Sequence, residues 1–150
     1  MRSAERHAST AAVVTGLLLA TGCGAGAADI AHHSSTDTRI TAKVGQRFTI
    51  DVEENSSTGE HWYLVPPEPG DSVVRESGQR LRGADPDLTG SGGRRIFAFE
   101  AVGAGTTLVV LLHCPVAGSC VGGDASSAPR PSATAGGPTA QRITYVIAVE

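Results

Sequence analysis

"RFTIDVEE", Arg47–Glu54, is the stretch whose reading decides the fold. Phe48, Ile50 and Val52 alternate with Thr49, Asp51 and Glu53. Successive side chains of an extended chain point to opposite faces, so this period of two marks a strand with one face buried and one wet. The same reading extends outward. In "RRIFAFEA", Phe97, Phe99 and Ala101 share a face, and "QRITYVIAVE" at the C-terminus aligns Ile143, Tyr145, Ile147 and Val149. "TTLVVLLHC", starting at Thr106, is apolar on both faces, as a central strand of a sandwich is. Shorter candidates are "RITAKV" from Arg39, "HWYLV" from His61 and "DSVVRES" from Asp71. Glycine and proline clusters separate them: Gly45, the loop 55–59, "PPEPGD", "GADPDLTGSGG" and "GAGT". Helical periodicity is absent. The pattern predicts an all-β protein, an immunoglobulin-like antiparallel β-sandwich of about seven to eight strands. The predicted core is Ile40, Val44, Phe48, Ile50, Val52, Trp62, Leu64, Val74, Phe97, Phe99, Leu108, Val110, Leu112, Tyr145 and Ile147.

With 150 residues, 40% of them hydrophobic and 18% charged, the chain suits one domain, read as 38–150. A net charge of -3 with scattered basic residues offers no positive stripe for nucleic acid, which is excluded as a partner. The region 1–22 reads as a signal peptide of lipoprotein type. Arg2 and Arg6 precede an apolar run from Ala11 to Ala20 that is too short to span a bilayer as a mature helix, and a small-residue exit follows. "LLATGC" resembles the bacterial lipoprotein signal, with Cys23 as the lipid-bearing residue, although Ala20 stands where a bulky aliphatic residue is usual. That resemblance implies an exported chain anchored to the outer face of the cell membrane, or a secreted one if Cys23 is not lipidated. Residues 23–37, small and polar and including His32 and His33, are expected to form a flexible tether.

Cys114 and Cys120 then remain, in a compartment where disulfides persist, and pairing them closes a small ring containing Pro115 and Gly118. Two alternatives stand beside this. A metal site would want more ligands than His113 adds, and a Cys114/His61 nucleophilic pair has no visible orienting group. Glu53 and Glu54 are adjacent and so point to opposite strand faces, which makes them a poor acid/base pair. "GSGGR" lacks the strand-to-helix context of a phosphate loop. No enzyme, metal or cofactor is implied. The low-complexity stretch 121–141 is too poor in apolar bulk to fold and is expected to be a mobile loop.

Three loops carry a family likeness. Asn55, Ser56, Ser57, Thr58, Gly59, Glu60, His61 and Trp62 stand in register with the Asn-Pro-Thr-Thr-Gly-Tyr-x-Trp first loop of the chagasin-type inhibitors of papain-like cysteine proteases. Gly90, Ser91, Gly92, Gly93 and Arg94, ahead of the alternating phenylalanines, resemble the family's second loop, and the Gly105-Thr106 turn with its apolar strand follows as it does there. The third loop departs: the family's Arg-Pro-Trp is Cys114-Pro115-Val116 here, and the first loop has Ser56 for Pro and Glu60 for Tyr. Arginine and tryptophan are common interface anchors, so their loss weakens a contact unless the Cys114–Cys120 ring supplies a rigid edge.

The resemblance implies a reversible inhibitor that occludes a protease groove with loops 55–59, 90–94 and 113–116 (His113, Cys114, Pro115, Val116). Thr58 would then lie nearest the enzyme's cysteine. The competing reading is a non-inhibitory immunoglobulin-like envelope lipoprotein binding another surface protein or ligand through the same end. Trp62 is expected in the core, beneath the first loop.

Overall fold

The computed structural model describes residues 29–83, 90–122, 128–132 and 137–150. The signal region, Cys23 and the first part of the expected tether lie outside these residues. Ten strands follow in order: β1 Ala31–Ser34, β2 Arg39–Ala42, β3 Arg47–Glu54, β4 His61–Leu64, β5 Val74–Arg82, β6 Gly93–Ala101, β7 Gly105–Cys114, β8 Cys120–Val121, β9 Arg130–Pro131 and β10 Gln141–Val149. One sheet has the order β1-β3-β6-β5 and the other β2-β10-β7-β4, while β8 and β9 form a separate pair. The all-β, immunoglobulin-like sandwich expected from the sequence is what forms.

The period-two segments pack as their alternation requires. Phe48 pairs with Phe99 and Ile50 with Phe97 across β3 and β6, and the Phe48 and Phe99 rings stack with centroids 5.4 Å apart. Val109 and Leu111 of β7 meet Tyr145 and Ile147 of β10 in the same core. The other face of β7 is also covered: Val110, Leu112 and Cys114 form a second cluster with Val65, to which Tyr63, Cys120 and Ala140 add. A strand apolar on both faces needs two covers, and it has them.

Four expectations are corrected. The sandwich is not wholly antiparallel, because β1 runs parallel to β3 and β2 parallel to β10. The chain switches sheets at the turn after β1 and again before β3, so each short N-terminal strand lies beside one to which no hairpin joins it. The tether is shorter than 23–37, since residues 31–34 form β1. There His32 Nδ1 lies 2.9 Å from Thr49 Oγ1, and His33 meets the Phe48 ring edge-on. Val44 and Leu108 are exposed, at 53% and 40%, rather than in the core. Val44 falls beyond the end of β2, in the turn that Gly45 makes with φ 83°, and Leu108 faces outward opposite Val146. Finally, the described part of 121–141 is built onto the sandwich. β9 pairs with β8, the Ser132 amide donates to the Ser119 carbonyl at 2.8 Å, and Pro129 is buried. At its other end, Ala140 packs against the apolar outer face of β7. Residues 123–127 and 133–136 lie outside the described residues.

Candidate functional site

β3 must reverse into β4 at one end of the sandwich, and local hydrogen bonding closes the turn as a single 3-10 helix, Ser56–Thr58. Asn55 Oδ1 accepts from the Ser57 amide at 3.2 Å and from its hydroxyl at 2.6 Å. The Asn55 carbonyl accepts from the Thr58 hydroxyl at 2.9 Å and from the amides of Thr58 and Glu60. Gly59 ends the turn with φ 78°, a left-handed conformation open to glycine at little cost. Ser56, Ser57 and Thr58 are exposed. The tip is therefore stiffened by its own bonds and presented to solvent.

Beneath it lies Glu54, 1% exposed. Its carboxylate takes two bonds from Arg95, Nε at 3.0 Å and Nη2 at 2.6 Å. It also accepts from the Ser56 hydroxyl at 2.9 Å and the Trp62 amide at 3.0 Å, with His61 Nδ1 at 3.4 Å. Burial works against the ionised form, yet the Arg95, Ser56 and Trp62 hydrogen bonds outweigh it and hold the carboxyl below its ordinary range. This residue was missed as part of the site, but the sequence held its signal. Glu54 continues the inward parity of Phe48, Ile50 and Val52, and Arg95 shares the parity of Phe97 and Phe99, so two opposite charges occupy core positions on neighbouring strands.

Trp62 is 7% exposed and sits under the loop as expected. Its indole N–H donates to the Glu53 carbonyl at 2.8 Å, linking β4 to the opposite sheet. Its ring stacks on His113 at 4.2 Å, and His113 Nε2 lies 2.8 Å from Glu60 Oε1. The other Glu60 oxygen accepts from the Asn55 amide at 2.8 Å. Glu60 thus ties the first loop to the strand that leads into the third.

The second and third loops close against the first. Asn55 Nδ2 donates to the Gly90 carbonyl at 3.1 Å, and a Cβ on Gly92 would sit 3.6 Å from the Glu54 carbonyl oxygen. Gly93 and Arg94 belong to β6, opposite Glu54 and Glu53, so the loop proper is Gly90–Gly92. Cys114 and Cys120 are disulfide-bonded, which removes Cys114 as a nucleophile beside His113 or His61. His113 and Cys114 are strand residues, and Cys114 is only 3% exposed. They form the base of the third loop, in which Pro115 and Val116 are half-buried and Ala117 and Gly118 exposed. Gly59 packs so closely there that a Cβ would fall 2.6 Å from that of Ala117 and 2.7 Å from its backbone nitrogen. Among the described residues, no group of three or more His, Cys, Asp or Glu is placed to hold a metal.

A sandwich of two four-stranded sheets with three interlocked loops at one end defines a protein that presents a rigid loop surface. Residues 41–114 match the model of the chagasin family of peptidase inhibitors, I42. The fold is similar to that of the cysteine protease inhibitor EhICP2 from Entamoeba histolytica, with TM-score 0.56 and 15% identity, over 81% of this chain and 96% of that one. It is also similar to amebosin, with TM-score 0.55 and 15% identity, over 81% of this chain and 99% of the other. No curated protein matches the chain by sequence.

Proposed function

We propose that this domain is a reversible inhibitor of papain-like cysteine proteases, acting by occlusion. The observation that carries the reading is the interlocking of three loops at one end of a chagasin-family sandwich, through the Asn55–Gly90 bond and the Gly59–Ala117 contact. A papain-like site is a groove holding a thiolate and an imidazolium. The Ser57-Thr58-Gly59 tip enters that groove, with Gly90–Gly92 along one wall and Ala117–Gly118 along the other. The inserted backbone resists cleavage because attack needs an aligned carbonyl, and bonds from the Thr58, Gly59 and Glu60 amides to the Asn55 and Ser56 carbonyls hold the tip in a closed turn rather than the extended form of a substrate. Preorganisation also lowers the ordering cost of binding. Titrating the purified protein against papain and following peptide hydrolysis tests this: inhibition should compete with substrate and reverse on dilution, and Gly59→Glu should abolish it. No inhibition at about 10 μM, a concentration at which even a micromolar complex forms, would remove the proposal.

The charged start, the apolar run and "TGC" support a further part of the reading, export and anchoring of the chain through lipid on Cys23. Partition into a detergent phase, lost in Cys23→Ala, is the expected result.

A further inference from the structure

We propose that β1 and the turn after it are an orienting device. They bring the chain into the domain at the pole opposite the three loops, so that a protein anchored through Cys23 turns its loop surface away from the membrane, towards proteases arriving from the surrounding medium. The inference rests on the inhibitory and anchoring readings and adds the kind of target they suit.

β10 starts beside His113, at the loop end, and finishes beside Gly105, at the other pole. β2 is parallel to β10, so a chain that entered the sandwich directly at β2 would come from the loop side. β1 reverses this. It is parallel to β3, with Ala31 level with Phe48, and β3 runs from beside the Gly45 turn up to the first loop. The chain therefore enters near the foot of β3. The rise of a strand puts about 20 Å between Phe48 and Glu54, where the loop begins.

Core formation does not account for β1. It lies ahead of residues 41–114, the part that matches the family model, and of its residues only Ala31 is an apolar neighbour of the core. It is held instead by polar contacts of its own. His32 Nδ1 lies 2.9 Å from Thr49 Oγ1, and the Thr49 hydroxyl donates to Asp51 Oδ1 at 2.6 Å. Asp37 closes the reversal that follows: its Oδ2 accepts from the Ser34 amide at 2.7 Å and the Ser34 hydroxyl at 2.9 Å, and its amide donates to the Ser34 carbonyl at 3.2 Å. The Thr38 carbonyl then accepts from the Val146 amide at 2.8 Å, which sets β2 beside β10. Ala31 is eight positions after Cys23, a span of at most about 28 Å. A connection that short, leaving from the foot of β3, puts that pole nearest the membrane and the loops on the outward side.

With Cys114 and Cys120 paired, the full-length protein can be coupled through Cys23 to vesicles bearing a maleimide lipid and a headgroup fluorophore that accepts energy from the sole tryptophan, Trp62. Trp62, bonded to Glu53, stands about 17 Å above the level at which the chain enters, so transfer should be about fivefold weaker than in Cys23→Ser/Thr58→Cys coupled through the loop tip. His32→Ala/Asp37→Ala, which releases β1, should move the transfer towards the loop-coupled value while the uncoupled variant inhibits as the native protein does. Coupling through Cys23 should change inhibition of soluble papain by less than about twofold. Equal transfer from the two couplings, or a loss of inhibition of about tenfold on coupling through Cys23, overturns the orientation. Unchanged transfer in His32→Ala/Asp37→Ala overturns the role of β1. Failure of the uncoupled native protein to inhibit overturns the inhibitory reading, and the transfer measurement still decides the orientation.

Discussion

Replacing Glu54 tests whether the loop end stands on one buried ion pair. Glu54→Ala leaves the Arg95 guanidinium without its carboxylate and takes acceptors from the Ser56 hydroxyl and the Trp62 amide. Removing one partner of a buried pair costs about 3–5 kcal/mol. The Arg95 side chain is 21% exposed and can recover some hydration, which places the expected loss at the lower end. A loss of about 3 kcal/mol corresponds to a fall in Tm of roughly 12 °C for a domain of this size. Glu54→Gln keeps the shape and one acceptor, so about half that loss is expected. Acid should erase the difference. The folded carboxyl sits below its ordinary range, so its stabilisation is complete above the unfolded value of about 4.3 and fades as pH falls through the lower folded value. The gap between native protein and Glu54→Gln is therefore full at neutral pH and closes under acid. Urea unfolding followed by Trp62 fluorescence measures both effects. A Glu54→Ala protein within about 0.5 kcal/mol of native at neutral pH would refute the reasoning, since that is the range of an ordinary surface change.

Gly59→Ala should lower stability by about 1–3 kcal/mol and weaken inhibition, because its Cβ would meet Ala117 from a left-handed backbone; denaturation and protease titration of one sample read both. Cys114→Ala/Cys120→Ala opens a ring of sequence separation 6 and should cost about 2 kcal/mol on the chain-entropy account, with an accompanying rise in the inhibition constant. Tyr145→Phe should be neutral or slightly stabilising in thermal denaturation, because the buried hydroxyl has no hydrogen-bond partner among the described residues. Burial pushes Tyr145 up to about 12, with Asp37 adding to the effect, so the native protein should lose stability as pH rises from about 10 towards that value. Tyr145→Phe should lack this alkaline loss.

The fold was legible because period-two burial is local: Phe48, Ile50 and Val52 declare their face without reference to any other strand. Which strand lies beside which is not local. The parallel pairings of β1 and β2 follow from two changes of sheet that no turn residue announces, and "AHHS" carries too little apolar bulk to read as a strand before β3 offers it an edge. The burial along the third loop was illegible for a related reason. Family spacing pointed to His113–Val116, but the disulfide draws Cys114 down into the outer cluster, so the exposed turn begins later.

The two departures in the first loop are the instructive case. Read as single positions, Ser56 for Pro and Glu60 for Tyr remove a rigid ring and an aromatic contact. In the folded protein the Ser56 hydroxyl is bonded to Glu54, and the Glu60 carboxylate joins the Asn55 amide to His113. Both residues hold the loop through partners that are 2 to 53 positions away in the chain. Proline stiffens a backbone from within its own residue, whereas a hydroxyl or carboxylate stiffens it only once its partner is in place. The same rigidity can therefore pass from a locally readable device to a distributed one, and a comparison made one position at a time registers only the loss.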